Sequence, residues 1–350
     1  MDELSQLLRE VGIENKIKAN DLVAIKLHFG ERGSTGFVRP IFIRRIVDTV
    51  KACGGKTFLT DTNTLYPGSR RESVSHITTA IQNGFGYSVV DAPIIIADGV
   101  RGNASVKVGV DKPLFPEVSI ARGIFAADSI VGVAHFTGHE LSGFGGALKN
   151  LAMGCSSREG KLRQHSSVAP RVKGKRCTGC ASCTEWCPED AIAIVMGKAR
   201  IDPERCVGCG QCLSACPEGA VRVQWDHDAA LFQRKMAEYA YGALVGKREK
   251  SVFLNFLTRV SPACDCSLHS GAPIVGDIGI LSSCDPVAID QASVDLVNEQ
   301  AGNEGSRLKA HLGPGEDKFR GIYPHVDWGI QLQYAAEIGL GSTRYDLLPI

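Results

Sequence analysis

The stretch Asp21-Leu-Val-Ala-Ile-Lys-Leu-His-Phe29 is typical of a buried strand, because apolar residues run through it without the spacing of a helix. After a glycine-rich turn, Pro40-Ile-Phe-Ile-Arg-Arg-Ile-Val-Asp-Thr-Val50 has proline near its start and apolar residues three and four positions apart, as helices do. Lys56-Thr-Phe-Leu-Thr60 is again typical of a short strand. Strand, helix and strand in this order indicate a parallel sheet.

The same alternation continues outward along the chain. The pattern predicts helices over 72–84 and 229–245, strands over 93–97, 128–134, 251–257 and 277–281, and a helix that starts at Pro286 after the N-cap Asp285. We therefore predict the α/β fold class, with a largely parallel sheet covered by helices. The intervening segment lacks this pattern. The α/β domain is thus predicted to be discontinuous, with parts over 1–171 and 225–350 around an insert over 172–224.

Two copies of one cysteine pattern occupy the predicted insert. They are Cys177-Thr-Gly-Cys180-Ala-Ser-Cys183-Thr-Glu-Trp-Cys187-Pro188 and Cys206-Val-Gly-Cys209-Gly-Gln-Cys212-Leu-Ser-Ala-Cys216-Pro217. Each copy reads C-x2-C-x2-C-x3-C-P, the bacterial ferredoxin pattern for [4Fe–4S] clusters. Zinc sites usually use two pairs of ligands rather than two quartets, so a zinc ribbon is the weaker interpretation.

The fourth cysteine of each copy is predicted to serve the other cluster, as in two-cluster ferredoxins. One cluster would be held by Cys177, Cys180, Cys183 and Cys216, and the second by Cys206, Cys209, Cys212 and Cys187. The insert is therefore predicted to be an α+β two-cluster ferredoxin-like module, and the protein is predicted to transfer electrons.

Charge and composition exclude several other classes. The 350 residues carry 39 Lys and Arg against 38 Asp and Glu, so no strong field attracts nucleic acid or a membrane surface. No apolar run approaches the ~18–20 residues of a membrane span, and the first ten residues do not resemble a signal peptide. Eight of the 13 cysteines are assigned to clusters that need thiolates, so we expect a cytoplasmic protein of an anaerobe.

Potential catalytic side chains follow the predicted strands. They are His28 after the first strand, Asp61 and Asn63 after the second, and His139, Glu140 and Lys149 after the strand over 128–134. Open parallel sheets bind ligands at the carboxyl ends of their strands, so these residues are candidates for one site. His139 or Glu140 could donate a proton, and Lys149 could hold an anion. The alternative is that each histidine is a hydrogen-bonded loop residue.

The turn Gly143-Phe-Gly-Gly146 leads into a helix start at Ala147. It lacks the spacing of a P-loop. Its backbone N–H groups could bind an anion beside Lys149, or the glycines could serve only a tight turn with positive φ.

Cysteines outside the ferredoxin pattern suggest a further centre. Cys264 and Cys266 are separated by one residue, and Cys155 could supply a third ligand. A third metal or cluster is one interpretation of this set. Plain buried thiols and a redox-active dithiol are the others.

Five stretches outside the cysteine pattern are distinctive: Lys26-Leu-His28-Phe-Gly-Glu31, Asp61-Thr-Asn63-Thr-Leu-Tyr66, Gly138-His139-Glu140-Leu-Ser-Gly-Phe-Gly-Gly-Ala-Leu-Lys149-Asn150, Cys264-Asp-Cys266 and Asp285-Pro286-Val-Ala-Ile-Asp290. In these stretches the chain resembles the domain-of-unknown-function family 362, which is often found with an embedded double ferredoxin. The resemblance implies an iron–sulfur protein whose α/β domain has no assigned substrate, and it implies that these loops form the site shared by the family.

The leading hypothesis is an iron–sulfur oxidoreductase or enzyme component that relays low-potential electrons to a small-molecule substrate in the α/β domain. The alternative is a non-enzymatic carrier that docks on a larger redox partner protein. The basic stretch over 161–176 is interpreted as a link between the domains or as a balance for the cluster charge, and an iron–sulfur regulator is the weakest hypothesis. No G-x-G-x-x-G follows a strand, so neither flavin nor nicotinamide is predicted.

Overall fold

The computed structural model describes residues 2–267 and 269–350, and the first residue of the predicted 1–171 part lies outside this range. In chain order the strands are β1 (Leu22–Lys26), β2 (Lys56–Asp61), β3 (Ile94–Ile96), β4 (Ser105–Gly109), β5 (Glu117–Ala121), β6 (Ser129–His135), β7 (Thr137–His139), β8 (Gly143–Gly145), β9 (Arg171–Val172), β10 (Ile192–Val195), β11 (Lys198–Ile201), β12 (Val221–Arg222), β13 (Val252–Leu257) and β14 (Gly279–Ser283).

Helices lie on both faces of the largest sheet that these strands form. In chain order they are α1 (Asp2–Glu10), α2 (Ile13–Lys16), α3 (Pro40–Ala52), α4 (Ser73–Ala80), α5 (Tyr87–Val90), α6 (Arg122–Ala126), α7 (Ala147–Cys155), α8 (Arg158–His165), α9 (Ser182–Glu185), α10 (Gln211–Ala215), α11 (Ala229–Leu244), α12 (Pro286–Asn298), α13 (Lys318–Ile322) and α14 (Gly329–Glu337).

The central sheet has six strands in the order β14-β13-β6-β1-β2-β3. Neighbouring strands are parallel except for β13 and β14, and Ala24 of β1 stands between Phe58 and Ile130. The predicted α/β fold with a largely parallel sheet is therefore confirmed. The antiparallel edge was not predicted. It arises because the described residues of the β13–β14 connection form no crossover helix, which a parallel return would require.

Successive residues of the central strands pack into two separate hydrophobic cores, one on each face of the sheet. Val23 and Ile25 of β1 pack on one face with helices α1 and α3, whereas Ala24 packs on the other with α7 and α11. This two-sided burial explains why β1 reads as a continuous apolar run rather than an alternating one.

Local signals place the helix ends where the sequence predicts them. Pro40 occupies the first turn of α3, and the Asp285 carboxylate accepts the N–H groups of Val287 and Ala288 at the start of α12. The helix predicted over 72–84 is interrupted. It continues beyond α4 only as a π-type turn, Ile81–Phe85, which ends because Gly84 adopts φ +92°.

The cysteine-rich segment, residues 172–224, is built from two small antiparallel pairs and two short helices. Strand β9 pairs with β12, so Val172 stands opposite Val221, and β10 pairs with β11 as a hairpin. The two ends of the segment therefore lie side by side, as an insertion into another domain requires. Within the described parts of the chain, no helix has both the length and the apolarity needed to span a bilayer.

Candidate functional site

A cavity of about 600 Å³ lies at the carboxyl ends of the central strands. Lys26, Asp61 and His135, the last residues of β1, β2 and β6, all line it. Strand β1 pairs with β2 on one side and with β6 on the other. The strands after β1 are therefore added first on one side of it and later on the opposite side, so the strand order reverses at β1. A crevice at such a switch point is the usual ligand site of an open α/β sheet.

Most of the side chains predicted for the site share this cavity. The lining includes His28, Asp61, His139, Glu140, Lys149, Cys264 and Cys266. Asn63 and Cys155 are absent from the described lining. The Asn63 amide donates instead to Asp98 (2.9 Å) and to the Gly99 carbonyl (2.8 Å), and Cys155 is buried in the core at the end of α7. The three cysteines suggested as a third centre therefore do not face one cavity.

A buried network of charges forms the floor of the cavity. Lys26 Nζ lies 3.1 Å from Asp61, and the Arg70 guanidinium bonds both Asp61 (3.0 Å) and Glu31 (2.9 Å). Burial by itself would raise the pKa of Asp61, but Lys26, His76 and Arg70 hold it well below its usual range. Asp61 is therefore a fixed anion that orients the two cations and cannot donate a proton at neutral pH.

Sequence reasoning missed Lys161 and His165 of α8, which also line the cavity. Lys161 Nζ donates to Thr62 Oγ1 and to the Asn63 carbonyl (2.6 Å), and burial lowers its pKa to about 8. Burial also lowers the pKa of His165 to about 3, and its ring stacks on Phe232 at 4.9 Å. The interpretation of Lys161 as part of a basic linker was wrong, because α8 turns it inward.

Cys264, Cys266 and Lys149 form a thiol pair with a cation at one side of the cavity. Lys149 Nζ lies 3.1 Å from Cys264 Sγ, and the Cys266 backbone N–H points to the same sulfur at 3.5 Å. Hydrogen bonding from Cys266 and the charge of Lys149 lower the pKa of Cys264 to about 5 against the effect of burial. The bond to Cys264, together with burial, raises the pKa of Cys266 well above its usual range. Of the two sulfurs, Cys264 is therefore the one that favours the thiolate form, and Cys266 favours the thiol.

His135 anchors the loop that carries this pair. Its Nδ1 lies 2.9 Å from Asp265 and its Nε2 lies 2.8 Å from the Thr258 carbonyl. Both partners are acceptors, so both ring nitrogens carry protons. Burial would lower the pKa of His135, but Asp265 raises it overall, in agreement with an imidazolium. The Asp265 side chain between the two cysteines is thereby held in place.

His28 and His139 are neutral wall residues. Nδ1 of His139 accepts from the backbone N–H of Ser142 (3.2 Å), and Nδ1 of His28 accepts from the Gly30 N–H (3.0 Å). Burial lowers the pKa of both imidazoles well below the usual range. Their remaining proton is therefore on Nε2, and His28 Nε2 has no hydrogen-bond partner within the described chain. Glu140 is exposed at the edge of the cavity.

The N–H groups at the start of α7 have a partner within the protein. The Asp290 carboxylate accepts the N–H groups of Ala147 (2.7 Å) and Leu148 (2.9 Å), so the donors offered by the sequence are used internally. The tight-turn interpretation holds instead. Gly143 adopts φ +75°, and a Cβ at Gly146 would overlap the Asp290 carboxylate.

The eight motif cysteines line two small pockets of the cysteine-rich segment. One pocket is lined by Cys177, Cys180, Cys183 and Cys216, and the other by Cys187, Cys206, Cys209 and Cys212. Each fourth cysteine thus faces the triplet of the other copy. Across residues 2–267 and 269–350, no group of three or more His, Cys, Asp or Glu side chains is arranged to hold a metal ion.

The two cysteine loops share one backbone conformation. Gly179 (φ +73°) and Ala181 (φ +60°) in the first loop correspond to Gly208 (φ +72°) and Gly210 (φ +71°) in the second. The left-handed conformation is unfavourable for alanine, so the loop geometry outweighs that local cost at Ala181.

Backbone amides point at the crossing cysteines in the same way in both copies. The N–H of Ala191 donates to Cys187 Sγ at 3.3 Å, and the N–H of Ala220 donates to Cys216 Sγ at 3.1 Å. In each case the donor lies four residues after the sulfur. Such N–H···S bonds stabilise a thiolate and tune the potential of a cluster bound to it.

The cysteine-rich segment packs directly on the wall of the large cavity. Leu65 belongs to the apolar core that contains Cys183 and Cys216, and it also lines the cavity. Arg71 donates to the Leu213 carbonyl, and the buried Arg158 donates to the Ser214 hydroxyl. One leucine side chain therefore belongs to the apolar core of the cysteine-rich segment and also lines the cavity.

Replacing Gly138 with alanine is expected to lower the free energy of unfolding by about 1–3 kcal/mol, because the added Cβ would overlap the Pro262 carbonyl. The displaced backbone carries the Cys264 loop, so alkylation of Cys264 should also change. Thermal unfolding and thiol labelling would measure both effects. The control is Gly174→Ala, where nothing lies within 4 Å of the new Cβ. Equal behaviour of the two variants would contradict the predicted overlap.

Comparison with known proteins identifies a family without an assigned activity. No functionally curated protein matches the sequence. The lactate racemase apoprotein from Thermoanaerobacterium thermosaccharolyticum is 12% identical, with a TM-score of 0.38 over 81% of this chain and 55% of that chain. A structural-genomics target from Thermotoga maritima is also 12% identical, with a TM-score of 0.35 over 73% of this chain and 49% of that chain. This chain thus spans about half the length of those structures. Residues 23–295 match the family described as domain of unknown function DUF362, and the chain belongs to that family.

Proposed function

We propose that the chain is an iron–sulfur oxidoreductase that holds two [4Fe–4S] clusters and binds its substrate in the large cavity. The proposal is carried by the sorting of eight cysteines into two four-cysteine pockets, within a segment whose apolar core includes Leu65 of the cavity wall. When bound, each [4Fe–4S] cluster supplies one electron at low potential.

The donor set fits this cofactor. Cys177, Cys180, Cys183 and Cys216 would hold one cluster, and Cys206, Cys209, Cys212 and Cys187 would hold the other. The fit is supported by the four cysteines that line each pocket, by the repeated loop conformation and by the paired N–H···S bonds. These features have no evident use in a segment that serves only as a linker.

The cavity side chains suit a polar or anionic substrate. Lys161 offers a charged donor, and His28 offers an Nε2–H without a protein partner. Because the pKa of Lys161 is lowered to about 8, it is protonated at neutral pH yet holds that proton weakly. We therefore assign proton donation to Lys161 rather than to His139, whose imidazole is already neutral.

The alternative function, a non-enzymatic electron carrier, is supported by an exposed apolar surface on the cysteine-rich segment. The β10–β11 hairpin exposes Ile194 (37%), Val195 (38%) and Met196 (93%), and Ile194 also lines the first cysteine pocket. Exposed apolar side chains beside a redox centre suit the docking of a partner protein. An oxidoreductase needs such a surface to receive electrons, and a carrier would need only this surface.

Anaerobic purification followed by metal, sulfide and flavin analysis tests the proposal. We expect about eight iron and about eight sulfide ions per chain, with electron paramagnetic resonance signals of two reduced clusters. Cys264→Ala/Cys266→Ala should keep this iron content, because both residues lie outside the two quartets. Zinc without sulfide would contradict the proposal.

A further inference from the structure

We infer that Cys264 and Cys266 form a redox-active dithiol whose substrate is a small disulfide that carries carboxylates. This inference rests on the proposed function for its supply of electrons. Cys264 acts as the nucleophile, and Cys266 acts as the resolving thiol.

The position of the pair supports this chemistry. Both cysteines line the cavity of about 600 Å³, and each keeps part of its surface accessible. A single residue separates them, and the Asp265 side chain between them is held by His135 at 2.9 Å. The two sulfurs are thus presented together from a fixed loop, as dithiol exchange requires.

The contacts distinguish the two sulfurs. Lys149 Nζ lies 3.1 Å from Cys264 Sγ, and the Cys266 N–H points to the same atom. A cation and an N–H donor stabilise a thiolate, which is the attacking form of cysteine. The side-chain contacts therefore favour Cys264 as the sulfur that attacks first, while Cys266 keeps its proton.

The reaction balances in two steps. The Cys264 thiolate attacks a disulfide RS–SR, which forms a Cys264–SR bond and releases RS⁻. Cys266 passes its proton to the released RS⁻, and its thiolate then attacks Cys264, which forms the Cys264–Cys266 disulfide and releases the second RS⁻. Two electrons and one proton restore the starting thiolate and thiol. One electron comes from each cluster, and a low-potential one-electron donor protein recharges them.

The cavity indicates the substrate class. Lys161 Nζ bonds only neutral oxygens, those of Thr62 and Asn63, and no described carboxylate lies within ion-pair distance of it. A carboxylate of the substrate would meet this charge. Apolar walls formed by Leu141, Met153 and Trp225 accommodate the carbon skeleton beside the disulfide.

The first test treats the holoprotein with one equivalent of oxidised glutathione under nitrogen. All variants carry Cys284→Ser, so the tryptic peptide 260–307 contains no cysteine other than the pair. After acid quench and alkylation, we expect this peptide to lack two hydrogens and to carry no alkyl group. In addition, Cys266→Ser should trap a glutathione adduct on Cys264, whereas Cys264→Ser should trap none on Cys266.

The second test addresses Lys149 by the rate of iodoacetamide alkylation at Cys264. Lys149→Met should slow alkylation by about tenfold or more at neutral pH, and Lys149→Arg should restore most of the rate. A purely structural role for Lys149 would not be rescued in this selective way. Equal rates in the wild type and in Lys149→Met would overturn its role.

The outcomes separate this inference from the proposed function. If iron and sulfide are present but peptide 260–307 always carries two alkylated thiols, and Cys266→Ser traps no adduct, the dithiol inference is overturned while the clusters stand. If the adduct forms on a protein without iron or sulfide, the proposed function fails and the exchange chemistry survives. Metal bound at the pair in the holoprotein, lost on substitution of both cysteines, would also overturn the inference.

Discussion

Replacing Cys183 with alanine is expected to lower the bound iron and sulfide to about half of the wild-type content. Cys183 lines the first pocket only, so the second quartet keeps its four sulfurs. The variant should also unfold at a lower temperature, because cluster binding and folding of such a segment are coupled. Iron and sulfide assays, with the visible absorption of the reduced and oxidised protein, measure the loss.

The matched control is Cys53→Ala. Cys53 follows α3 and packs beside the core on one face of the sheet, far in sequence from both motifs. It should keep the full iron and sulfide content. Unchanged content in Cys183→Ala, or equal loss in the control, would refute the assignment of the quartets. A crossed partition further predicts that Cys216→Ala resembles Cys183→Ala and spares the signal of the other cluster.

Replacing Arg70 with methionine is expected to lower the free energy of unfolding by about 3–5 kcal/mol. Arg70 is 3% exposed and bonds Glu31 and Asp61, which are also buried. Its loss would leave these two buried carboxylates without their shared cation. Urea unfolding followed by far-ultraviolet circular dichroism measures the change in the α/β domain.

Arg44→Met is the matched control for this experiment. Arg44 also pairs with an aspartate, Asp48 at 2.8 Å, but both side chains are about two-fifths exposed. Water screens such a pair, so its removal should change stability much less. If both arginine variants unfold at the same urea concentration, the buried network does not stabilise the cavity floor.

The local patterns were sufficient to predict most of the sheet. Strand β1 and helix α3 follow from apolar periodicity, and the start of α12 follows from its aspartate cap. The antiparallel pairing of β14 was not predictable in this way. Its direction depends on how a connection without a helix returns to the sheet, which no local period encodes.

The candidate site was predicted in part. The rule of strand ends grouped His28, Asp61 and Lys149 correctly in one cavity. It failed for Asn63, whose amide turns to Asp98, because the residue two positions after a strand can face either side of its loop.

The sequence by itself determined the α/β class and the spacing of the two cysteine quartets, because both depend on spacings of only a few residues along the chain. Only the tertiary structure decided that Lys26, Arg70 and Lys161 meet around Asp61 and Thr62, and that Lys149 lies against Cys264. These contacts join residues far apart in the chain. Their partners are chosen by strand order and by the need to pair buried charges, and neither leaves a periodic signal in the sequence.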